Sequence, residues 1–206
     1  MKKVASQYKI RIIGDVIITH MAQKAEMTPH DRVDSHLTDN PYVWREKKNL
    51  KGDWEYNDRY KVTHYCAGNL PGLNLYNWDL QDQIIQFLNE CIDCGMEGFR
   101  IDSGKSIPLP TDEFSPWEGR DARPCDFFLR MQEGLKKKDL WIYIEVLNTA
   151  PDLIRKYFPF GLVLTDVEQE ELPREALVSF VESHDQYYNW RPGMISPISD
   201  TCITDW

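Results

Sequence analysis

The chain has 206 residues and a formal net charge of −9. That length suffices for one sizeable hydrophobic core but falls short of the roughly 250 residues usual for a complete (β/α)8 barrel. An acidic balance of this size argues against a nucleic-acid partner and an anionic membrane surface, and no apolar run approaches the ~18 residues of a membrane span. Lys9 and Arg11 break the apolar stretch that follows Met1-Lys2-Lys3, so the start does not read as a signal peptide. The five cysteines, at 66, 91, 94, 125 and 202, leave one unpaired in any disulfide scheme. This favours a reducing, cytoplasmic compartment.

In chain order, residues 9–18 are rich in Ile and Val and read as a strand buried on both faces. Residues 21–76 form a long polar and aromatic excursion, larger than an ordinary loop between strand and helix, and therefore a candidate for function. Asp79 is suited to cap a helix running to Cys94, with Ile84, Ile85, Leu88, Cys91 and Ile92 on its apolar face and Gly95 at its end. The C-x-x-C spacing of Cys91 and Cys94 falls within this helix with no second pair, and reads as two small apolar residues. Residues 98–102 are the next strand and 103–122 a second polar loop. Residues 126–137 look helical, with Lys136, Lys137 and Lys138 at the negative end of the helix dipole. Residues 141–146 form a strand, Pro151 opens a short helix to about Tyr157, and residues 161–164 form a further strand. Residues 166–174 leave room for about two helical turns at most. Residues 177–181 are the last clear strand. Strand–helix alternation of this kind implies an α/β fold with a parallel sheet and right-handed crossovers.

Three apolar runs close on an acid: residues 98–102 on Asp102, 141–145 on Glu145 and 180–185 on Asp185. The first run ends at His20. Polar residues at the carboxyl ends of successive parallel strands are how such sheets and barrels assemble a site. Three carboxylates with an arginine, Arg100, and two histidines, His20 and His184, among them suggest acid/base and nucleophilic chemistry on a neutral, hydroxyl-rich substrate. The seven Trp and ten Tyr are compatible with sugar stacking, but aromatic residues fill cores as readily.

Four segments resemble the signatures of the α-amylase family, glycoside hydrolase family 13. They are Asp15-Val16-Ile17-Ile18-Thr19-His20, the segment from Gly98-Phe99-Arg100-Ile101-Asp102 to Ser106, Ile144-Glu145-Val146, and Val181-Glu182-Ser183-His184-Asp185. Leu70-Pro71-Gly72-Leu73-Asn74 resembles a fifth segment, near the end of that family's inserted domain B. All five occur in the family's order. The resemblance implies an incomplete TIM-type (β/α) barrel, about strands 3 to 7, with residues 21–76 as a domain-B-like insertion. It implies a retaining α-glycosidase acting on α-1,4-glucans or maltooligosaccharides, with Asp102 as nucleophile, Glu145 as general acid/base and Asp185 stabilising the distorted sugar. Arg100 would keep the nucleophile ionised, His20 and His184 would bind sugar hydroxyls, and Lys105 would lie toward the aglycone.

Where the family commonly holds calcium, this chain has Thr19, Gly72 and Ser106. An Asn and an Asp side chain are the usual ligands at the first two positions. Calcium takes six to eight oxygens, often from carboxylates, so the site is expected to be absent or weak, with no other cofactor. Strands one, two and eight have no counterpart, so open sheet edges and self-association are expected. Two other readings stand beside the enzyme. One is a non-catalytic fragment or carbohydrate-binding remnant. The other is a transporter accessory subunit, which usually lacks the catalytic set and carries a membrane helix.

Overall fold

A computed structural model describes residues 2–22, 41–52, 54–112, 124–166 and 172–178. His184, Asp185 and the rest of the fourth signature segment lie outside the described residues.

Five parallel strands form the main sheet: β1 (Ile13–Val16), β4 (Gly98–Ile101), β5 (Trp141–Glu145), β6 (Leu162–Leu164) and β7 (Leu177–Val178). Their spatial order is β1-β4-β5-β6-β7, so each strand pairs with the one before it in this series. Two short parallel strands, β2 (Glu46–Asn49) and β3 (Tyr65–Cys66), pair with each other inside the excursion. The five main strands correspond to the five read from sequence. The β4 and β5 residues Phe99, Ile101 and Ile144 are fully buried, as the continuous apolar runs require of strands covered on both faces.

β1 differs from its expectation. It is shorter, since Lys9 adopts a left-handed conformation (φ 55°) after the short helix α1 (Lys2–Gln7). It is also not buried on both faces: Ile17 beyond its end is 59% exposed and the Asp15 side chain 57% exposed. β1 is an edge of the described sheet, which leaves these residues uncovered.

The described part of the excursion carries regular elements rather than an irregular loop. Besides β2 and β3 it carries α2 (Arg59–His64), capped by Asp58, whose side chain accepts from the Lys61 amide at 3.1 Å. α3 (Trp78–Asp93) begins earlier than expected. Its cap is Asn77, not Asp79: Asn77 has the extended backbone a cap requires and accepts from the Leu80 amide at 3.1 Å. Starting there places Leu80 on the buried stripe with Ile84, Ile85 and Leu88. The helix ends at Cys94 and left-handed Gly95. Cys91 packs against the core, Cys94 is exposed, and both are free thiols.

α4 (Phe127–Gly134) is shorter than the expected helix to Lys137, because Leu135 turns extended (φ −70°, ψ 130°) and buries its side chain. Lys136, Lys137 and Lys138 therefore lie beyond the helix. Lys138 nonetheless donates to the Gln132 and Glu133 carbonyls, satisfying the helix end from outside. α5 (Pro151–Arg155) has Pro at its first turn, as expected. No helix among the described residues is long and apolar enough to cross a membrane.

The face of α3 supplies a test. Leu88→Ala removes a side chain with 0% exposure and is expected to lower unfolding stability by about 2–5 kcal/mol. Phe87→Ser, on the outer face, should change it by about 0.5 kcal/mol or less. Denaturant titration of both variants measures the contrast.

Candidate active site

Register brings the site together. Asp15 on β1 lies opposite Arg100 on β4, and Arg100 lies opposite Tyr143 on β5. Residues level with one another in neighbouring strands share a face. Asp102 follows β4 directly and shares the parity of Arg100, while Glu145 is the last residue of β5.

Arg100 is the hub. Its Nη1 donates to Asp15 Oδ1 at 2.7 Å and to Asp102 Oδ1 at 2.9 Å, and its Nη2 donates to Glu145 Oε1 at 2.6 Å. Asp102 and Glu145 thus converge on the two terminal nitrogens of one guanidinium, at the carboxyl ends of adjacent strands. Arg100 and Glu145 are both 8% exposed.

Glu145 Oε2 accepts from the Ser103 amide at 2.9 Å. That bond depends on an uncommon backbone: Ser103 is left-handed (φ 49°, ψ 43°), which turns its amide toward β5. Gly104 completes the approach. A Cβ there would lie inside the Ile144 side chain and against the Glu145 carbonyl, so only glycine lets this turn seat on the end of β5.

The electrostatics act most clearly on Glu145. Burial raises the pKa of Glu145. The Ser103 amide and Arg100 work against this, and the Asp102 charge adds to it, leaving it above the ordinary glutamate value. For Arg100, burial acts downward, but the hydrogen bond to Asp15 and the charges of Glu145, Asp15 and Asp102 outweigh it and hold the guanidinium protonated. Glu145 therefore retains its proton more readily than an exposed glutamate does. Each carboxyl oxygen has two lone-pair positions, so the bonds to Arg100 and Ser103 leave room for that proton.

His20 stands near Asp102. Burial lowers its pKa, the Asp102 charge opposes this, and the Arg45 charge reinforces it. Thr19 Oγ1 lies 2.9 Å from its Nδ1. Lys105 Nζ donates to the Leu147 carbonyl at 3.0 Å and sits 5.1 Å from the centre of the Tyr56 ring, bringing the excursion to the strand ends. Burial lowers its pKa, against the charges of Asp166 and Glu145. The structure therefore gathers Asp102, Glu145, Arg100, His20 and Lys105 at one end of the sheet. Two contributors were missed in the sequence. Asp15 sits inside a quoted segment, and its register with Arg100 becomes visible only once β1 and β4 are paired. Ser103 gave no signal, since a left-handed serine is not legible from residue type.

The three calcium positions named from the resemblance have other partners or no side chain here. Thr19 Oγ1 is engaged with His20, and Gly72 offers no side chain. The Ser106 carbonyl already accepts from Arg45 Nη2 at 2.6 Å. Among the described residues, no cluster of His, Cys, Asp and Glu has a metal-holding arrangement.

The profile of the family described as "Alpha amylase, catalytic domain" matches residues 1–161. The chain belongs to the α-amylase catalytic-domain family. It is 28% identical over 167 residues to an α-amylase of Butyrivibrio fibrisolvens, covering 76% of this chain and 17% of the relative. It is 33% identical over 161 residues to an α-amylase of Clostridium acetobutylicum, covering 76% and 20%. A glucan 1,6-α-glucosidase of Streptococcus pneumoniae is 28% identical over 179 residues, covering 81% and 33%. The chain thus spans a third or less of the length of these curated relatives. Among solved structures, the α-amylase of Geobacillus thermoleovorans, complexed with acarbose, superposes with a TM-score of 0.57 at 21% identity, over 80% of this chain and 32% of the other. The Anoxybacillus α-amylase gives 0.59 at 16% identity, over 80% and 32%. At such identities the superpositions establish the fold, and the profile match establishes the family.

Glu145 provides the test of the site's electrostatics. Because its folded pKa is raised above the reference 4.5, folding favours its protonated form. That stability is fully present below the unfolded value and is lost as pH rises through the folded one. Carbon-13 NMR of the labelled carboxyl is expected to give a midpoint above 4.5, and Arg100→Gln should move it further upward. A midpoint that falls on removing Arg100 would refute this account of the hub.

Proposed function

We propose that the chain carries the catalytic part of a retaining α-glycosidase acting on α-1,4-linked glucans or maltooligosaccharides. The observation that carries this reading is the single guanidinium joining Asp102 to Glu145 at the strand ends, within the residues matched by the family. The five strands would correspond to the third to seventh of the eight-stranded barrel, and residues 21–76 to its domain-B insertion.

In the first step Asp102 attacks the anomeric carbon, forming a glycosyl ester as the glycosidic C–O bond breaks. Glu145 gives its proton to the departing oxygen. In the second step a water loses a proton to Glu145 and attacks the same carbon, releasing Asp102. Two inversions give net retention. The raised pKa of Glu145 suits the first step, and Arg100 lowers the cost of the ionised Asp102. His20 and His184 would bind sugar hydroxyls, Asp185 would stabilise the cationic sugar, and Lys105 with Tyr56 would border the aglycone. The relatives named above include both α-amylases and a glucan 1,6-α-glucosidase, so isomaltooligosaccharides belong in the substrate panel.

A second reading, a carbohydrate-binding remnant, is favoured by one specific observation. Among the described residues β1 has an unpaired edge, with Tyr8, Ile10 and Ile17 exposed near it. Such an edge invites self-association and looser catalytic geometry.

Incubation with maltooligosaccharides, followed by proton NMR of the first-formed anomer, distinguishes the two. The enzyme reading expects the α-anomer, a rate about 10²–10⁴-fold lower in Glu145→Gln, and no turnover in Asp102→Asn. Binding without turnover by the wild-type chain, self-associated on size-exclusion chromatography, would favour the remnant.

A further inference from the structure

Arg45 is the most enclosed cation among the described residues, yet it has no carboxylate partner there. It is 6% exposed. Its backbone amide donates to the Gly72 carbonyl at 2.9 Å. Among the described residues, its side chain donates only to carbonyl oxygens: Nε to Leu73 at 2.9 Å, Nη1 to Val62 at 3.1 Å and Tyr65 at 3.4 Å, and Nη2 to Ser106 at 2.6 Å. These acceptors come from three separate segments. Leu73 is on the chain returning from the excursion, Val62 and Tyr65 are at the end of α2, and Ser106 is in the turn four residues after Asp102. Burial pulls the Arg45 pKa down to about 10, which leaves it charged at neutral pH.

Gly72 and Arg45 require each other. A Cβ on Gly72 would stand 2.6 Å from Arg45 Cδ and 3.1 Å from Cγ. A side chain at 72 therefore displaces the arginine stem. The neighbouring carbonyls are held in the same manner. Arg59 Nη1 donates to Lys105 O and Nη2 to Ile107 O, at 2.8 Å for the latter, while its Nε and Nη2 pair with Asp112. Three consecutive carbonyls of the turn, at 105, 106 and 107, thus face arginines from the excursion.

A positive charge surrounded by backbone oxygens from separate segments is the environment in which proteins also hold calcium. We propose that Arg45 serves as a built-in cation in place of a divalent ion, tying the described part of the excursion to the turn after β4 and making the fold independent of calcium. The loss of side-chain ligands at 19 and 72 then has a physical counterpart. At 72, the space a side chain would fill is occupied by the Arg45 stem. This inference concerns folding and metal response, and its test does not depend on glycosidase activity.

The experiment is thermal melting of the full 206-residue chain in millimolar calcium and in chelator, for four proteins: wild type, Arg45→Met, Gly72→Ala, and the double variant Arg45→Ala with Gly72→Asp. Wild type is expected to melt at the same temperature in both buffers. Arg45→Met and Gly72→Ala should melt lower by about 4 °C or more, with no rescue by calcium. The double variant, with a carboxylate restored and the Leu73 and Ser106 carbonyls released, should melt higher in calcium than in chelator. A calcium-dependent rise in wild type, or wild-type melting by Arg45→Met, would overturn the proposal. Should Arg45→Met prove insoluble, Gly72→Ala decides, and wild-type melting by that variant would overturn it too.

Discussion

One guanidinium, that of Arg100, holds carboxylates from three strands, and much of the described chain serves to bring those strands level with it. The parallel pairing β1-β4-β5 sets Asp15, Arg100 and Tyr143 in one row, and the chain then ends two strands in acids one step further on. Repulsion among Asp15, Asp102 and Glu145 would otherwise drive the strand ends apart. With Arg100 between them, each acid has a charge-assisted hydrogen bond to one guanidinium. Burial dominates at Glu145 and favours its protonated form.

The second constraint is the turn after Asp102. Left-handed Ser103 and side-chain-free Gly104 press this turn onto the end of β5, and Ser103 reaches Glu145 directly. The far side of the same turn is held by Arg45 and Arg59 from the excursion, and the Tyr157 hydroxyl donates to Ile107 O at 3.2 Å. The excursion therefore touches the chemistry through backbone carbonyls. A disturbance at Arg45 would be felt at Ser106 and from there, through the 3.1 Å contact between the Ser106 and Ser103 hydroxyls, at the residue that orients Glu145.

Much of this was legible in the sequence because it rests on long apolar runs with acids at their ends. The strands at Phe99, Ile144 and Val163 announce themselves by short runs rich in aliphatic and aromatic residues, and the family resemblance adds the order of the segments. Boundaries were less legible. Asn77 and Asp79 are both good caps by residue type, and the choice between them falls to burial of Leu80. Lys136–Lys138 read as a helix end because their charge suits one, yet burying Leu135 stops the helix first. The least legible features were long-range. A lone arginine at 45, in a polar and aromatic stretch, gives no local sign that it will be enclosed by carbonyls from residues up to 61 positions away.

The central claim is that Asp102 is the nucleophile of a retaining site built around Arg100. Its most direct test is trapping of the covalent intermediate. The chain is incubated with a fluorinated α-glucosyl fluoride that forms the glycosyl-enzyme faster than it hydrolyses, and the labelled peptide is identified by mass spectrometry. The account predicts one glucosyl unit attached to Asp102. A label on Glu145 or another residue, or no label at any reagent concentration, would contradict it.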